Sequence, residues 1–180
     1  MTSSNVLIIL AQVLLLCACG ASNGGVNLDE SLANLDASNA TDSGDNNCVL
    51  GNTFAPIPEK ALIEEVCRIT NRERAKLNLT PLELETQRTL VAQAHSEDMA
   101  DRNFFNHENP EGLDPFDRLA NAGITYTSAA ENIAVGQITA TQVVADWMKS
   151  SGHRANILNS KFARVGIGSR NGRWTQVFTN

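Results

Sequence analysis

The chain has 180 residues, four cysteines and a formal net charge of −6, with 42% hydrophobic residues. All 14 Lys and Arg fall from Cys48 onward, against 15 acids there, so the region from Cys48 to Asn180 is near neutral and carries no electrostatic footprint for nucleic acid. Those 133 residues suffice for one domain around one core.

In chain order, Val6 to Leu16 form an apolar run broken only by Gln12. It is too short to span a bilayer, which takes about 20 residues, and it suits the hydrophobic centre of a signal peptide. Leu16-Cys17-Ala18-Cys19-Gly20 follows directly and resembles a bacterial lipobox. The resemblance implies cleavage after Ala18, loss of residues 1–18, and lipidation of Cys19. Multiple acyl chains hold a protein to a membrane where one does not. Residues 19–47 are rich in Ser, Asn, Asp, Gly and Ala, with five acids and no base. This composition cannot bury enough apolar surface to offset ordering, and predicts a flexible acidic tether whose coil statistics give a mean span of roughly 25–30 Å.

With Cys17 removed and Cys19 acylated, Cys48 and Cys67 remain. An even pair in an oxidising compartment is expected to join; the alternative is two free thiols. A bond would stabilise by about 3 kcal/mol in the loop-entropy model. Pro56 and Pro58 open a first helix with an apolar stripe of Leu62, Val66, Ile69 and Leu77. Glu64, Arg68, Arg72 and Lys76 form a solvated charged face. Leu79-Thr80-Pro81 ends that unit.

A second helix is predicted from Glu85 to Arg102. Val91, His95 and Met99 recur at i, i+4, which puts His95 on the core side as a satisfied histidine; Asp98 and Arg102 make a surface pair. The polar, turn-prone stretch after Phe104-Phe105 places His107 on a loop. Pro115 opens a short helix, Phe116 to Ala122, that Gly123 ends. Glu131 to Gly136 reads as a short strand with Glu131 at its entrance, a place where carboxylates usually face water. Thr139 caps a helix whose Val143, Val144, Trp147 and Met148 share a face. Gly152 is expected to stop that helix in a left-handed conformation, with His153 just beyond. Val165 to Gly168 and Trp174 to Phe178 read as strands joined through Asn171-Gly172, a strong hairpin signal. Helices early and strands late argue α+β. There is no Gly-rich phosphate loop, HExxH or GxSxG.

His107 in FFNHENPEG, Glu131 in ENIAVG and His153 in SSGHRANIL together resemble the CAP superfamily of cysteine-rich secretory proteins, antigen 5 and pathogenesis-related proteins, in its bacterial SCP-like branch. NRERAKLNLTPLEL, AHSEDMA, DPFDRLANAG, FARVGIGS and WTQVF extend the match over about Glu59 to Phe178. The resemblance implies a three-layer α-β-α sandwich with a cleft lined by His107, Glu131 and His153. A second cleft glutamate of many eukaryotic members corresponds to the region of Ser150.

Two neutral imidazoles and a carboxylate suit zinc or another divalent cation with a position left open. Three functions follow. One is a binding module, anchored to a membrane and facing outside the cytoplasm, for a cell-wall fragment, peptide, carbohydrate or lipid. Another is a metal-assisted hydrolase, with Glu108 as candidate base. Ser150 or Ser151 beside His153 is a further hydrolytic arrangement. The third is a scaffold whose histidines hydrogen-bond Glu131.

Overall fold

The computed structural model describes residues 45–51 and 57–180. The signal-peptide, lipobox and most of the tether readings, Cys19 and Pro56 included, lie outside the described residues. A 3-10 turn, Asp45–Cys48, leads into α1 (Lys60–Ala75), β1 (Glu83–Leu84), α2 (Thr86–Asp101), α3 (Pro115–Asn121), β2 (Ala129–Val135), α4 (Ala140–Lys149), α5 (Ser151–Ile157), β3 (Arg164–Arg170) and β4 (Arg173–Thr179).

The four strands run in the order β1-β3-β4-β2. β1 is parallel to β3, and β4 is antiparallel to both β3 and β2. The β3–β4 turn holds Asn171 and Gly172 at φ of 50° and 71°, the pair of positive values that the tight hairpin demands.

Strand periodicity sorts side chains onto two faces. Val165, Ile167, Trp174 and Phe178 turn to one side, where they pack with Ile63, Val66, Val143 and Trp147 of α1 and α4. Val177 turns to the other, against Val91, Ala92 and Leu119 of α2 and α3. The result is the expected α-β-α sandwich. Gly166 and Gly168 also face α2. A Cβ on either would stand 2.1 Å from the Arg88 carbonyl carbon or 2.4 Å from that of Ala92, so α2 lies directly on the β3 backbone.

Several local expectations change. The buried face of α1 is Ile63, Val66, Cys67, Thr70, Asn71 and Arg74. Leu77 lies past the helix end and is 55% exposed. Pro58 sits in the turn before α1. Gly152 does not end α4: Ser150 does, by adopting extended φ/ψ of −85° and 124°, and α5 restarts at once. A left-handed glycine is therefore not needed, and His153 belongs to the first turn of α5. β1, two residues long, carries no sequence pattern to foretell it. Cys48 and Cys67 are bonded, with Cα atoms 5.6 Å apart.

Arg74 is wholly buried. Its Nε and Nη2 donate to the Thr80 carbonyl, Nη1 to those of Ile157 and Asn159, and Nη2 also to Phe162. Ile157 ends α5, whose C-terminal dipole favours a cation. One guanidinium thereby fastens the loop after α1 to the α5–β3 connection.

Candidate functional site

β2 is an edge strand, and successive residues on it face opposite layers. Glu131 pairs with Val177 and shares its α2/α3 face; Asn132 pairs with Gln176 and faces α5. The site is built around this edge.

On the first face, the Glu131 side chain is only 1% exposed, yet both of its oxygens are engaged. His107 Nδ1 lies 2.8 Å from Oε1, and Arg118 Nη2 lies 2.7 Å from Oε2. Glu131 is thus not a solvated strand-entrance carboxylate: two partners remove the reason to face water. An ionised carboxylate only accepts, so Nδ1–H donates to it, and whenever the ring is neutral Nε2 is its unprotonated nitrogen. The His107 side chain is 48% exposed.

The loop bearing His107 is held from several sides. Arg118 Nη1 donates to the His107 carbonyl at 2.8 Å and to that of Leu113 at 2.9 Å. Arg118 is itself fixed on α3, where Asp114 caps Phe116 and Asp117 through their N–H groups and Asp117 closes the reciprocal bond. Asn109 Oδ1 accepts from Leu113 N at 2.8 Å, and Gly112 takes a φ of 84° to turn the chain. His95 donates from Nε2 to the Asn106 carbonyl at 3.0 Å. It is 1% exposed, as the core reading requires. Burial lowers its pKa, with opposing influence from Glu131, so it is neutral.

On the second face, Asn132 Nδ2 donates to the His153 carbonyl at 3.2 Å and to Gln176 Oε1 at 3.3 Å. Asn156 Nδ2 donates to Asn132 Oδ1 at 2.9 Å, and Gln176 Nε2 to Thr70 Oγ1 at 3.1 Å. This buried amide ladder seats α5, and with it His153, on β2. Burial first, and His107 second, lower the His153 pKa.

The structure therefore joins His107 directly to Glu131, while His153 is seated on the other face of β2 through its own carbonyl. Sequence reading missed Arg118, Asn132 and Asn156. A carboxylate buried on a strand demands a cation, and DPFDRLANAG holds one, but that signal appears only once Glu131 is known to be buried. Among the described residues no three His, Cys, Asp or Glu side chains form a metal cage. With Glu131 turned to His107 and Arg118, a three-donor set does not fit this arrangement.

Residues 67–179 match the model of the family described as CAP, cysteine-rich secretory protein family. The chain is 44% identical over 128 residues to the uncharacterized protein YkwD of Bacillus subtilis, covering 70% of this chain and 50% of that one. It is 34% identical over 115 residues to the uncharacterized membrane protein YlbC of the same organism, covering 64% of this chain and 33% of that one. It thus spans half of the first relative and a third of the second. Among solved structures, an extracellular protein containing an SCP domain from Bacillus anthracis superposes with a TM-score of 0.64 at 32% identity, covering 71% of this chain and 45% of that one. An outer surface protein of Borrelia burgdorferi superposes with a TM-score of 0.63 at 21% identity, covering 69% of this chain and 96% of that one, and supports the fold alone. No helix among the described residues is long and apolar enough to cross a membrane.

Proposed function

The chain belongs to the CAP, or cysteine-rich secretory protein, family, and from that premise we propose that it is an extracytoplasmic binding module, lipid-anchored through Cys19, whose ligand meets His107 and His153. One observation carries the reading: a buried carboxylate, held by Arg118, is spent on orienting a half-exposed imidazole. Burying such a charge is expensive, and well-packed apolar residues would often stabilise as well. Orientation of His107 gives the arrangement a use that stability does not.

Two imidazoles with one backed by a carboxylate can load a divalent cation such as zinc weakly and reversibly, because a carboxylate behind the ring raises its basicity and fixes its tautomer. In this reading Glu131 orients His107 and is not itself a ligand. When bound, such a cation would supply a Lewis-acidic point for a polar ligand. The lowered pKa of His153 keeps that ring neutral, as a ligating nitrogen must be.

Zinc titration by calorimetry of wild type, His107→Ala and His153→Ala tests the cleft: each variant is expected to lose the binding heat. Equal heats in all three overturn the metal reading. For the anchor, Cys19→Ala is expected to move the protein from detergent phase to medium, and continued partition into detergent overturns it.

A further inference from the structure

The charges of the domain nearly cancel in sum, but they are divided by layer. Residues 85–122, with α2 and α3, hold eight acids and three bases. A carboxylate engages each of those bases: Glu85 meets Arg88, Asp98 and Glu111 meet Arg102, and Glu131 meets Arg118. Residues 57–82 and 137–163, with α1, α4 and α5, hold eight bases and five acids. Four of these acids are taken, Glu64 by Lys60, Glu65 by Arg68 and Arg72, Glu73 by Lys76, and Asp146 by Lys149. Among the described residues, Arg74, Arg154 and Lys161 pair with no carboxylate.

These three cations belong to one corner. Arg74 holds the carbonyls of Ile157, Asn159 and Phe162. Within that stretch the Leu158 amide bonds the Arg154 carbonyl, one turn back, and the Lys161 amide bonds Asn159 Oδ1. Carbonyl dipoles solvate the Arg74 guanidinium without cancelling its unit charge, and both Arg154 and Lys161 are exposed. Neighbouring charges offset one another: Lys76 has Glu73, and Arg164 lies beside Glu83 in register. Glu59, the remaining acid of the layer, is at the far end of α1, about 22 Å away by helix rise. Leu77 follows the same helix end, its amide bonded to the Arg74 carbonyl, and is 55% exposed. A bilayer interface suits both features, because anionic headgroups meet the bases and the acyl boundary takes the leucine. A free phosphate or soluble polyanion gains nothing from Leu77.

We propose that the corner of Leu77, Arg154 and Lys161, built over Arg74, docks on an anionic phospholipid surface. The incoming chain joins the same layer, through the bond from Cys48 to Cys67 of α1. The contact needs no acyl chain and no metal, so it stands apart from both the Cys19 anchor and the histidine cleft.

The test is cosedimentation of the full chain carrying Cys19→Ala, which removes the acylation site, with two kinds of vesicle. Phosphatidylcholine alone sets the baseline, including whatever the apolar run of residues 6–16 contributes. Vesicles of three parts phosphatidylcholine to one of phosphatidylglycerol are expected to bind about thirtyfold more tightly at about 0.1 M salt, and the gain should vanish at about 0.5 M. Lys161→Glu and Arg170→Glu change the net charge equally, but Arg170 lies at the hairpin end of β3, away from the corner. Only Lys161→Glu should weaken binding to the mixed vesicles, by about tenfold. Leu77→Ser, at an exposed position, should weaken it about threefold or more and leave the thermal melt unchanged. Equal affinity for the two vesicles, a loss no greater for Lys161→Glu than for Arg170→Glu, or full binding by Leu77→Ser would each overturn the proposal. So would displacement by inorganic phosphate at constant ionic strength, which would mark a free-anion site instead.

Discussion

Replacing Arg74 by methionine keeps most of the side-chain volume and removes every donor. Four carbonyls lose their guanidinium partner together, those of Ile157 and Phe162 in buried bonds and those of Thr80 and Asn159 in part-buried ones. An orphaned buried polar group costs about 1–3 kcal/mol. Relief of the buried charge offsets part of this, since burial alone lowers the Arg74 pKa. A net loss of about 4 kcal/mol remains, a large fraction of a typical domain's stability. At a urea slope of about 2 kcal/mol per molar, the midpoint falls by about 2 M. Arg72→Met is the matched control: Arg72 is exposed and, among the described residues, its side chain pairs only with Glu65, so the midpoint should barely move. Amide exchange should also rise across α5, which Arg74 fastens. A midpoint shift for Arg74→Met no larger than that of the control would refute the claim that this guanidinium holds the α1 and α5 loops together.

Gly168→Ala would set a Cβ 2.4 Å from the Ala92 carbonyl carbon, so α2 must lift; a loss of about 3 kcal/mol or more is expected in thermal melts, and an unchanged melt would contradict the close approach. Glu131→Gln should destabilise by about 3 kcal/mol by leaving Arg118 buried without its counter-charge, and nitrogen NMR should show His107 moving its proton to Nε2; retention of the Nδ1–H form would contradict the assigned orientation. The pKa values of His95 and His153 are both lowered by burial. Above about pH 6.5 both states are neutral and no penalty exists; below it the unfolded chain protonates first, so stability falls until the depressed native pKa is reached. Urea midpoints should therefore decline from pH 7 to 5, less steeply in His95→Phe, and equal slopes would contradict the buried neutral ring. Removing the disulfide by Cys48→Ala with Cys67→Ala should lower stability by about 3 kcal/mol, measurable by the same titration.

Most elements were legible because their signals are local. Thr139 caps α4 as its side chain should, Pro115 opens α3, and Asn171-Gly172 turns the hairpin. His95 could be placed in the core because its i, i+4 neighbours are apolar. What escaped depends on contacts between distant segments. Arg74 looks like its exposed neighbour Arg72 until α5 and the β1 approach supply carbonyls around it. Glu131 looks solvated until Arg118, on another element, is known to face it. Gly152 was expected to break a helix because Gly commonly does, yet Ser150 had already taken an extended conformation. The motifs singled out His107, Glu131 and His153; which oxygen of Glu131 meets which nitrogen could not be read from them, because it depends on contacts with the loop after α2 and with α3.

The bond from Cys48 to Cys67 lands on the middle of α1, between the buried residues Val66 and Thr70. Tension arriving along the backbone ahead of Cys48 therefore enters the domain through a covalent link to its interior, bypassing the first turns of α1. Such a load cannot peel the helix from its free end. It acts instead on the buried middle of the helix, beside Val66 and Thr70, until the link is reduced.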